Sequence, residues 1–410
     1  MLDLSQRPVE RPWLNPGLFW PALTAATAHL DAPVAAVHLE ALRHNAHDML
    51  DRAAGTPLRV ASKSIRVRGV LEAILALPGY RGVLAYTLAE ALWLAETVTD
   101  VVVGYPTADR AAIVRLGRSD QLAETVTLMV DSVAHLDVID AVLPPGSRAP
   151  IRVCIDLDAS WETPLLGHLG VWRSPVHTPD DARRLAVAIL ARPGFHLVGV
   201  MSYEAQVAGI GDRPAGKPVR GMLNRWVRRR SVAEIGERRG AVVRAVREIA
   251  PLEFVNGGGT GSVETTRGDA SVTDVAVGSG FLGGHLFDNY ASFRPAPAAA
   301  VAFSVVRKPS PGMAVLLGGG WIASGVPGAD RVPRLVWPDG LRLVPREMAG
   351  EAQTPITGAG AARLQVGDRV WARHTKSGEL SEHVNEVALV ENGQVVDILP
   401  TYRGEGKAFL

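Results

Sequence analysis

The chain lacks most of the features that quickly narrow a function. Its single cysteine, Cys154, excludes an intramolecular disulfide. That residue lies in Ile151-Arg152-Val153-Cys154-Ile155-Asp156, which reads as a buried strand, so a core thiol is expected rather than a reactive one. Charge of either sign is not in excess. Lys plus Arg number 43 and Asp plus Glu 42, giving a net +1 and no electrostatic reason to expect nucleic acid or an anionic membrane as partner. No segment approaches the roughly 18 uninterrupted apolar residues of a membrane helix. The first twenty residues carry prolines and charges where a secretion signal needs a continuous apolar core, so a cytoplasmic location is expected. The Walker phosphate pattern is absent. Gly-x-Gly-x-x-Gly occurs at Gly278-Ser279-Gly280-Phe281-Leu282-Gly283, late in the chain and outside an N-terminal βαβ context, which disfavours a dinucleotide fingerprint.

What is present fits an ordinary globular balance, with 47% apolar and 21% charged residues over a length of 410 that favours two domains. Short β-rich runs alternate with helical patterns from about Pro33 to Phe293. The strand candidates are Val34 to Leu39, Leu58 to Ser62, Gly82 to Tyr86, Val101 to Gly104, Val126 to Val130, Ile151 to Leu157, Leu197 to Ser202, Leu252 to Val255 and Val272 to Val277. Strands separated by helical crossovers pair in parallel, so the pattern predicts an α/β fold, a closed (β/α)8 TIM-type barrel over residues 31–294. A doubly wound open sheet is the alternative. Beyond Arg294-Pro295-Ala296-Pro297 the chain turns to short β patterns rich in Gly and Pro, which predicts a mainly β domain over 295–410, with residues 1–30 packing on it. Asn392-Gly393 reads as a hairpin turn, because both positions accept positive φ. The arginine run Arg225, Arg228, Arg229, Arg230, Arg238 and Arg239 reads as the solvated outer face of a helix.

Two features carry chemistry. Lys63 closes the apolar stretch Leu58-Arg59-Val60-Ala61-Ser62-Lys63-Ser64. A lysine at a strand end usually snorkels to water, but a buried one loses proton affinity and can form a Schiff base with a carbonyl compound. Nearly two hundred residues later, Asn256-Gly257-Gly258-Gly259-Thr260-Gly261 follows a strand, and Gly278-Ser279-Gly280 follows the next. Backbone amides in such loops bind phosphate through dipoles and hydrogen bonds. A lysine with a distant phosphate cradle on one α/β chain suggests pyridoxal phosphate. Tyr86, Asp156, Asp158 and Ser202-Tyr203-Glu204-Ala205-Gln206 also fall at strand ends, where a barrel gathers its function.

These residues carry a resemblance. Val37-His38-Leu39-Glu40-Ala41-Leu42-Arg43-His44-Asn45 looks like the opening segment of alanine-racemase-like barrels, with the lysine strand at the expected distance. Asn256-Gly257-Gly258-Gly259-Thr260-Gly261 is similar to the phosphate loop of D-threonine aldolases and D-serine dehydratases, and Val277-Gly278-Ser279-Gly280 to Phe287-Asp288-Asn289-Tyr290 resembles their next strand and loop. The resemblance covers most of residues 30–295 and implies a fold-type III pyridoxal-phosphate enzyme. It implies that Lys63 carries the internal aldimine and moves protons at the α-carbon. Tyr203 and Gln206 would line the cofactor or substrate, and Asn256, Gly257, Gly258, Gly259, Thr260, Gly278, Ser279 and Gly280 would form the phosphate site. His168 stands where the family often has arginine near the cofactor's phenolic oxygen. The group's metal motif is matched only by His383-Val384-Asn385, so a divalent ion would rest on His383 with carboxylate help from Glu379 or Glu382. The implied function is a lyase, aldolase or dehydratase, on a 3-hydroxy amino acid of D configuration, with His383 acting at the 3-hydroxyl. Relatives of this layout also imply a homodimer. A racemase, whose second acid-base group would have to be Tyr402, and a non-catalytic cofactor carrier remain the alternatives.

Overall fold

The structure is a computed structural model that describes residues 2–376 and 378–410. The chain divides into two compact units. One comprises Met1–Asp48, Lys63–Leu77 and Ser279–Ala408, and the other Met49–Ser62, Pro78–Gly278 and Phe409–Leu410. They are called here the β unit and the barrel unit. The first strand, β1 (Val34–His38), belongs to the β unit.

The barrel unit follows with β2 (Leu58–Ala61), β3 (Tyr80–Ala85), β4 (Val101–Val103), β5 (Val126–Val130) and β6 (Ile151–Asp156). A hairpin of β7 (Trp161–Thr163) and β8 (Gly167–Leu169) interrupts the series. It resumes with β9 (Phe195–Ser202), β10 (Phe254–Gly257) and β11 (Asp274–Val277). Eight of these strands close a barrel in the order β10-β11-β2-β3-β4-β5-β6-β9. Every pairing within it is parallel. Strands β2, β4 and β5 are buried along their whole length, as parallel strands covered on both faces must be.

Val102, Met129, Cys154, Val198, Met201 and Phe254 form one cluster of the barrel core, with Leu84 and Tyr203 packed against it. Burial pushes the Cys154 thiol far up, so it stays protonated and inert, as expected of a core cysteine. Gly199 leaves room for Phe254, whose ring would lie 2.4 Å from any Cβ there. Near the strands' N-terminal ends, Arg59 crosses the interior. It bonds Asp100 through Nη1 and Nη2 at 2.8 and 3.0 Å and reaches Asp274 at 3.2 Å. Burial opposes its charge, but Asp274 and Asp100 outweigh that and hold the guanidinium above its ordinary value.

The β unit is a nine-stranded sheet. Its strands after β1 are β12 (Ala299–Ser310), β13 (Met313–Leu317), β14 (Arg334–Trp337), β15 (Arg342–Leu343), β16 (Gln353–Thr357), β17 (Arg369–Arg373), β18 (Glu386–Glu391) and β19 (Gln394–Pro400). β1 lies between β12, antiparallel, and β18, parallel. The strand expected to open the barrel at Val34 is therefore a strand of the β sheet, and the barrel begins with β2. Five consecutive buried residues have no polar face to declare which sheet they join. The barrel also ends earlier than residue 294. After β11 the chain enters the β unit, where Phe287, Tyr290 and Phe293 cluster. There Asn45 pins the segment, its Nδ2 donating to the carbonyls of Phe281 and Ala296 at 2.9 Å. Helix Pro16–Ala26 docks on β17, where Trp371 Nε1 donates to Thr24 Oγ1 at 2.8 Å. Asn392 and Gly393 take φ of 49° and 73° between β18 and β19, the expected turn.

Candidate active site

Lys63 lies in the 3-10 turn Ser62–Ser64, immediately after β2. It is half-buried. Its carbonyl accepts from Gly378 N at 3.2 Å and Arg66 Nε at 3.0 Å, so both sides of the turn are fixed. Gly378 is required there, because a Cβ would lie 2.4 Å from the Lys63 oxygen. The neighbouring Ser64 hydroxyl meets the Ser279 hydroxyl at 3.2 Å. The β unit thus joins the turn after β2 to the loop after β11, and in the barrel β11 is the strand next to β2.

The glycine loop after β10 is held by a buried polar network. Glu204 is its hub. Its Oε2 accepts the Gly258 N–H at 2.9 Å and its Oε1 the Thr266 hydroxyl at 2.5 Å. Arg239 stands 3.6 Å from Glu204 and donates to Ser202 Oγ and Asp269 Oδ2, each at 2.9 Å. Gly259 N donates to Ser262 Oγ at 3.1 Å, and Gly278 N donates to the Thr260 hydroxyl at 3.2 Å. Gly258 has φ of +79°, and a Cβ there would lie 2.9 Å from both Thr266 Oγ1 and Val275 Cγ1. Hence three amides expected to face a phosphate, those of Gly258, Gly259 and Gly278, instead shape their loops.

Arg239 was hidden in the arginine run expected to face solvent. It is 2% exposed. Within helix Pro218–Arg247 it shares the buried face of Ile235, Val242, Val243 and Val246. That helical spacing was the available signal. Arg238 is turned inward as well, its guanidinium donating to the carbonyls of Asp158 at 2.6 Å and Ser160 at 2.7 Å.

Several expected residues present buried atoms without partners among the described residues. His168 sits in β8, its Nδ1 paired with Glu162 and its ring stacked on Trp172 at 3.7 Å. Its Nε2 is buried and unpaired. Gln206 Nε2 donates to the Ala159 carbonyl at 2.7 Å, which leaves its Oε1 buried and unpaired. Tyr203 follows β9, and burial raises its phenol above the ordinary value. Asn256 differs, because its amide bonds Asp274 within the barrel and supports the Arg59 cluster. Asp156, at the end of β6, has its carboxyl pushed up to about 7, chiefly by burial and then by the charge of Asp131.

The expected metal site does not assemble. Glu379 Oε1 already accepts the amides of Thr375 and Lys376 at 2.7 and 3.0 Å, bracing its own loop. Among the described residues no three His, Cys, Asp or Glu side chains are grouped to hold an ion. His383 instead stacks on Trp321, with centroids 4.7 Å apart and planes 3° from parallel. A chelating set would need a second anion that Asn385 does not supply. Pyridoxal phosphate fits better. His168 Nε2 and Gln206 Oε1 are free to bond a polar ligand, and the two tethered glycine loops leave adjacent barrel strands beside the one that precedes Lys63.

The comparisons with known proteins agree. The structure matches that of D-threonine aldolase from Filomicrobium marinum with a TM-score of 0.73 and 20% identity, over 92% of this chain and 96% of that one. D-threo-3-hydroxyaspartate dehydratase from Delftia sp. HT23 matches at 0.63 and 20% identity, over 91% and 97%. Alanine racemase from Bacillus anthracis matches at 0.59 and 15% identity, over 91% and 98%. No curated protein sequence matches the chain. At these identities the structural likeness establishes the fold. The family model for the alanine racemase N-terminal domain matches residues 37–243, half of the chain. The chain therefore belongs to the alanine racemase N-terminal-domain family of fold-type III pyridoxal-phosphate proteins.

Proposed function

We propose that this protein is a pyridoxal-phosphate-dependent lyase that acts on a 3-hydroxy amino acid of D configuration. The observation that carries the reading is the position of Lys63 directly after β2, with glycine loops after the next two strands of the barrel, β11 and β10. When bound, the cofactor supplies an electron sink for a bond broken at the substrate's α-carbon. Lys63 holds the cofactor and moves the proton at that carbon. The phosphate is held at the loop tips by the Thr260-Gly261 and Ser279-Gly280 segments, since the deeper amides are in use. His168 and Gln206 offer their unpaired atoms to the ring.

His383 acts at the 3-hydroxyl. Burial holds its imidazole below the ordinary value, so at neutral pH it is neutral and able to accept a proton. In aldol cleavage the 3-hydroxyl would give its proton to His383 as Cα–Cβ breaks, and Cα would be protonated afterwards. In dehydration Lys63 would take the α-proton before Cβ–O breaks, and the leaving hydroxide would receive a proton. A racemase would need a phenol presented to the partner chain, and Tyr402 is 1% exposed inside its own unit. The substrate is a small amino acid, and a homodimer in the cytoplasm is part of the same reading.

The test is a panel of D-threonine, D-serine and D-threo-3-hydroxyaspartate. Products are followed by mass spectrometry, with and without chelator. Glycine and an aldehyde, or ammonia and an oxo acid, are expected, unchanged by chelator. His383→Ala should lower kcat about 10²- to 10⁴-fold. Interconversion of D- and L-alanine without either lyase reaction would replace the reading with a racemase.

A further inference from the structure

Several arginines of the barrel unit are committed to carboxylates. Arg59 holds Asp100 and Asp274, Arg148 holds Asp140, Arg152 holds Glu253, and Arg239 holds Asp269. Arg173 is arranged differently. Its guanidinium carbon lies 5.4 Å from the ring centroid of Tyr105 and 5.3 Å from that of Tyr203. Among the described residues its nitrogens make no hydrogen bond or ion pair. The contacts to the two rings supply no oxygen acceptor, so its N–H donors remain without a protein acceptor among the described residues.

Its placement is specific. Tyr105 follows β4 and Tyr203 follows β9, so Arg173 stands beyond the C-terminal ends of the strands. Tyr203 in turn rests on the Met129, Cys154 and Met201 cluster of the barrel core. The loop that carries Arg173 is also fixed. Ser174 Oγ donates to the Asp156 carbonyl at 2.6 Å and accepts the Val176 N–H at 3.0 Å. Asp158 N donates to the Val176 carbonyl at 2.8 Å, and a Thr178–Asp181 capping box starts the following helix. Ring faces and loop together hold the cation before any ligand arrives, which removes much of the cost of ordering a long side chain.

The nearby acids do not neutralise it. Asp131 is paired with His135 at 3.3 Å. Asp156 feels the guanidinium's charge, yet burial and Asp131 keep its carboxyl up at about 7, so near neutrality it carries only part of a charge.

We propose that Arg173 is the receptor for a carboxylate of the substrate, gripping it with N–H donors that no acceptor among the described residues engages. This rests on the proposed lyase reading, and it assigns a substrate-binding role to a residue outside the glycine loops and the lysine turn. A planar guanidinium matches a carboxylate with two parallel hydrogen bonds, whereas lysine offers only a point charge. The carboxylate is either the α-carboxylate of any amino acid or a second one on the side chain.

The experiment compares wild type with Arg173→Met and Arg173→Lys, with Arg184→Met as a control on another surface. Binding of acetate and of succinate is measured by calorimetry on the cofactor-loaded protein. KM and kcat are then measured for D-threonine and D-threo-3-hydroxyaspartate. Arg173→Met is expected to weaken carboxylate binding and raise KM about 10- to 100-fold with little change in kcat. Arg173→Lys should recover only part of the loss, and the control none of the effect. A KM rise for both amino acids assigns the α-carboxylate, and a rise confined to the dicarboxylic one assigns the side chain. Borohydride-reducible cofactor at Lys63 must persist in Arg173→Met, which separates lost binding from lost structure. If neither amino acid is turned over, the lyase reading fails while succinate binding still decides the role of Arg173. Carboxylate binding that is absent in wild type, or unchanged in Arg173→Met, overturns the proposal.

Discussion

Arg59 and Arg173 belong to the same barrel and use the same chemical group in contrary ways. Toward the N-terminal ends of the strands, Arg59 is 1% exposed and bonds two carboxylates, with Asn256 completing the cluster. Beyond the C-terminal ends, Arg173 is exposed, rests on two aromatic rings and bonds no acid among the described residues. The unpaired atoms of His168, in β8, and of Gln206, in the short helix after β9, are likewise without a partner among the described residues. Polar groups paired with one another inside a protein help hold its fold, and a cation left without an acid at a strand end is open to an anionic partner. The contrast is one of partners: the terminal nitrogens of Arg59 are committed to Asp100 and Asp274, and those of Arg173 to no acid among the described residues.

The contrast is easiest to break at its satisfied end. Arg59→Ala would leave the buried Asp274 without its cation, and removing one partner of a buried pair costs about 3–5 kcal/mol. Urea denaturation should show that loss, and a midpoint within error of wild type would mean the cluster is idle. Glu204→Gln comes next. It keeps the shape but removes the anion between Arg239 and Gly258, so about 1–3 kcal/mol of stability is expected to go, together with faster loss of cofactor on dialysis.

Asp156 gives the smallest effect and a sign. Its folded-state carboxyl sits near 7, above the ordinary value, so the folded chain binds more protons than the unfolded chain between about pH 4 and 7. Stability contributed by the neutral acid is therefore present at low pH and lost as pH rises through 7. Asp156→Asn removes that dependence and should be more stable than wild type at pH 8, by about 1 kcal/mol, with the advantage gone at pH 5. Thermal melts at the two pH values read the difference directly.

Much of the barrel is legible in the sequence because its strands are short, apolar and separated by helical patterns. β5 matches its expected bounds, and the Asn392-Gly393 turn has the expected backbone. β1 was not assignable, since a strand buried throughout looks the same in either sheet. The lysine turn and glycine loops are legible as special positions, but what the Gly258 and Gly278 amides bond is not, because Glu204 and Thr260 meet them only through contacts between residues far apart in sequence. Arg239 was readable from the spacing of its apolar neighbours. Arg173 was not, because its tyrosines lie 68 and 30 residues away in sequence and meet it only when the barrel closes. The Glu379 carboxylate resembles a metal ligand in sequence until its loop folds and two amides claim it.

The central claim is that Lys63 carries pyridoxal phosphate. Protein reconstituted with the cofactor, reduced with borohydride and digested, should yield a phosphopyridoxyl group on the peptide containing Lys63, absent from Lys63→Ala. A protein that takes up no cofactor, or carries it on another lysine, would contradict the account and leave both glycine loops as turns.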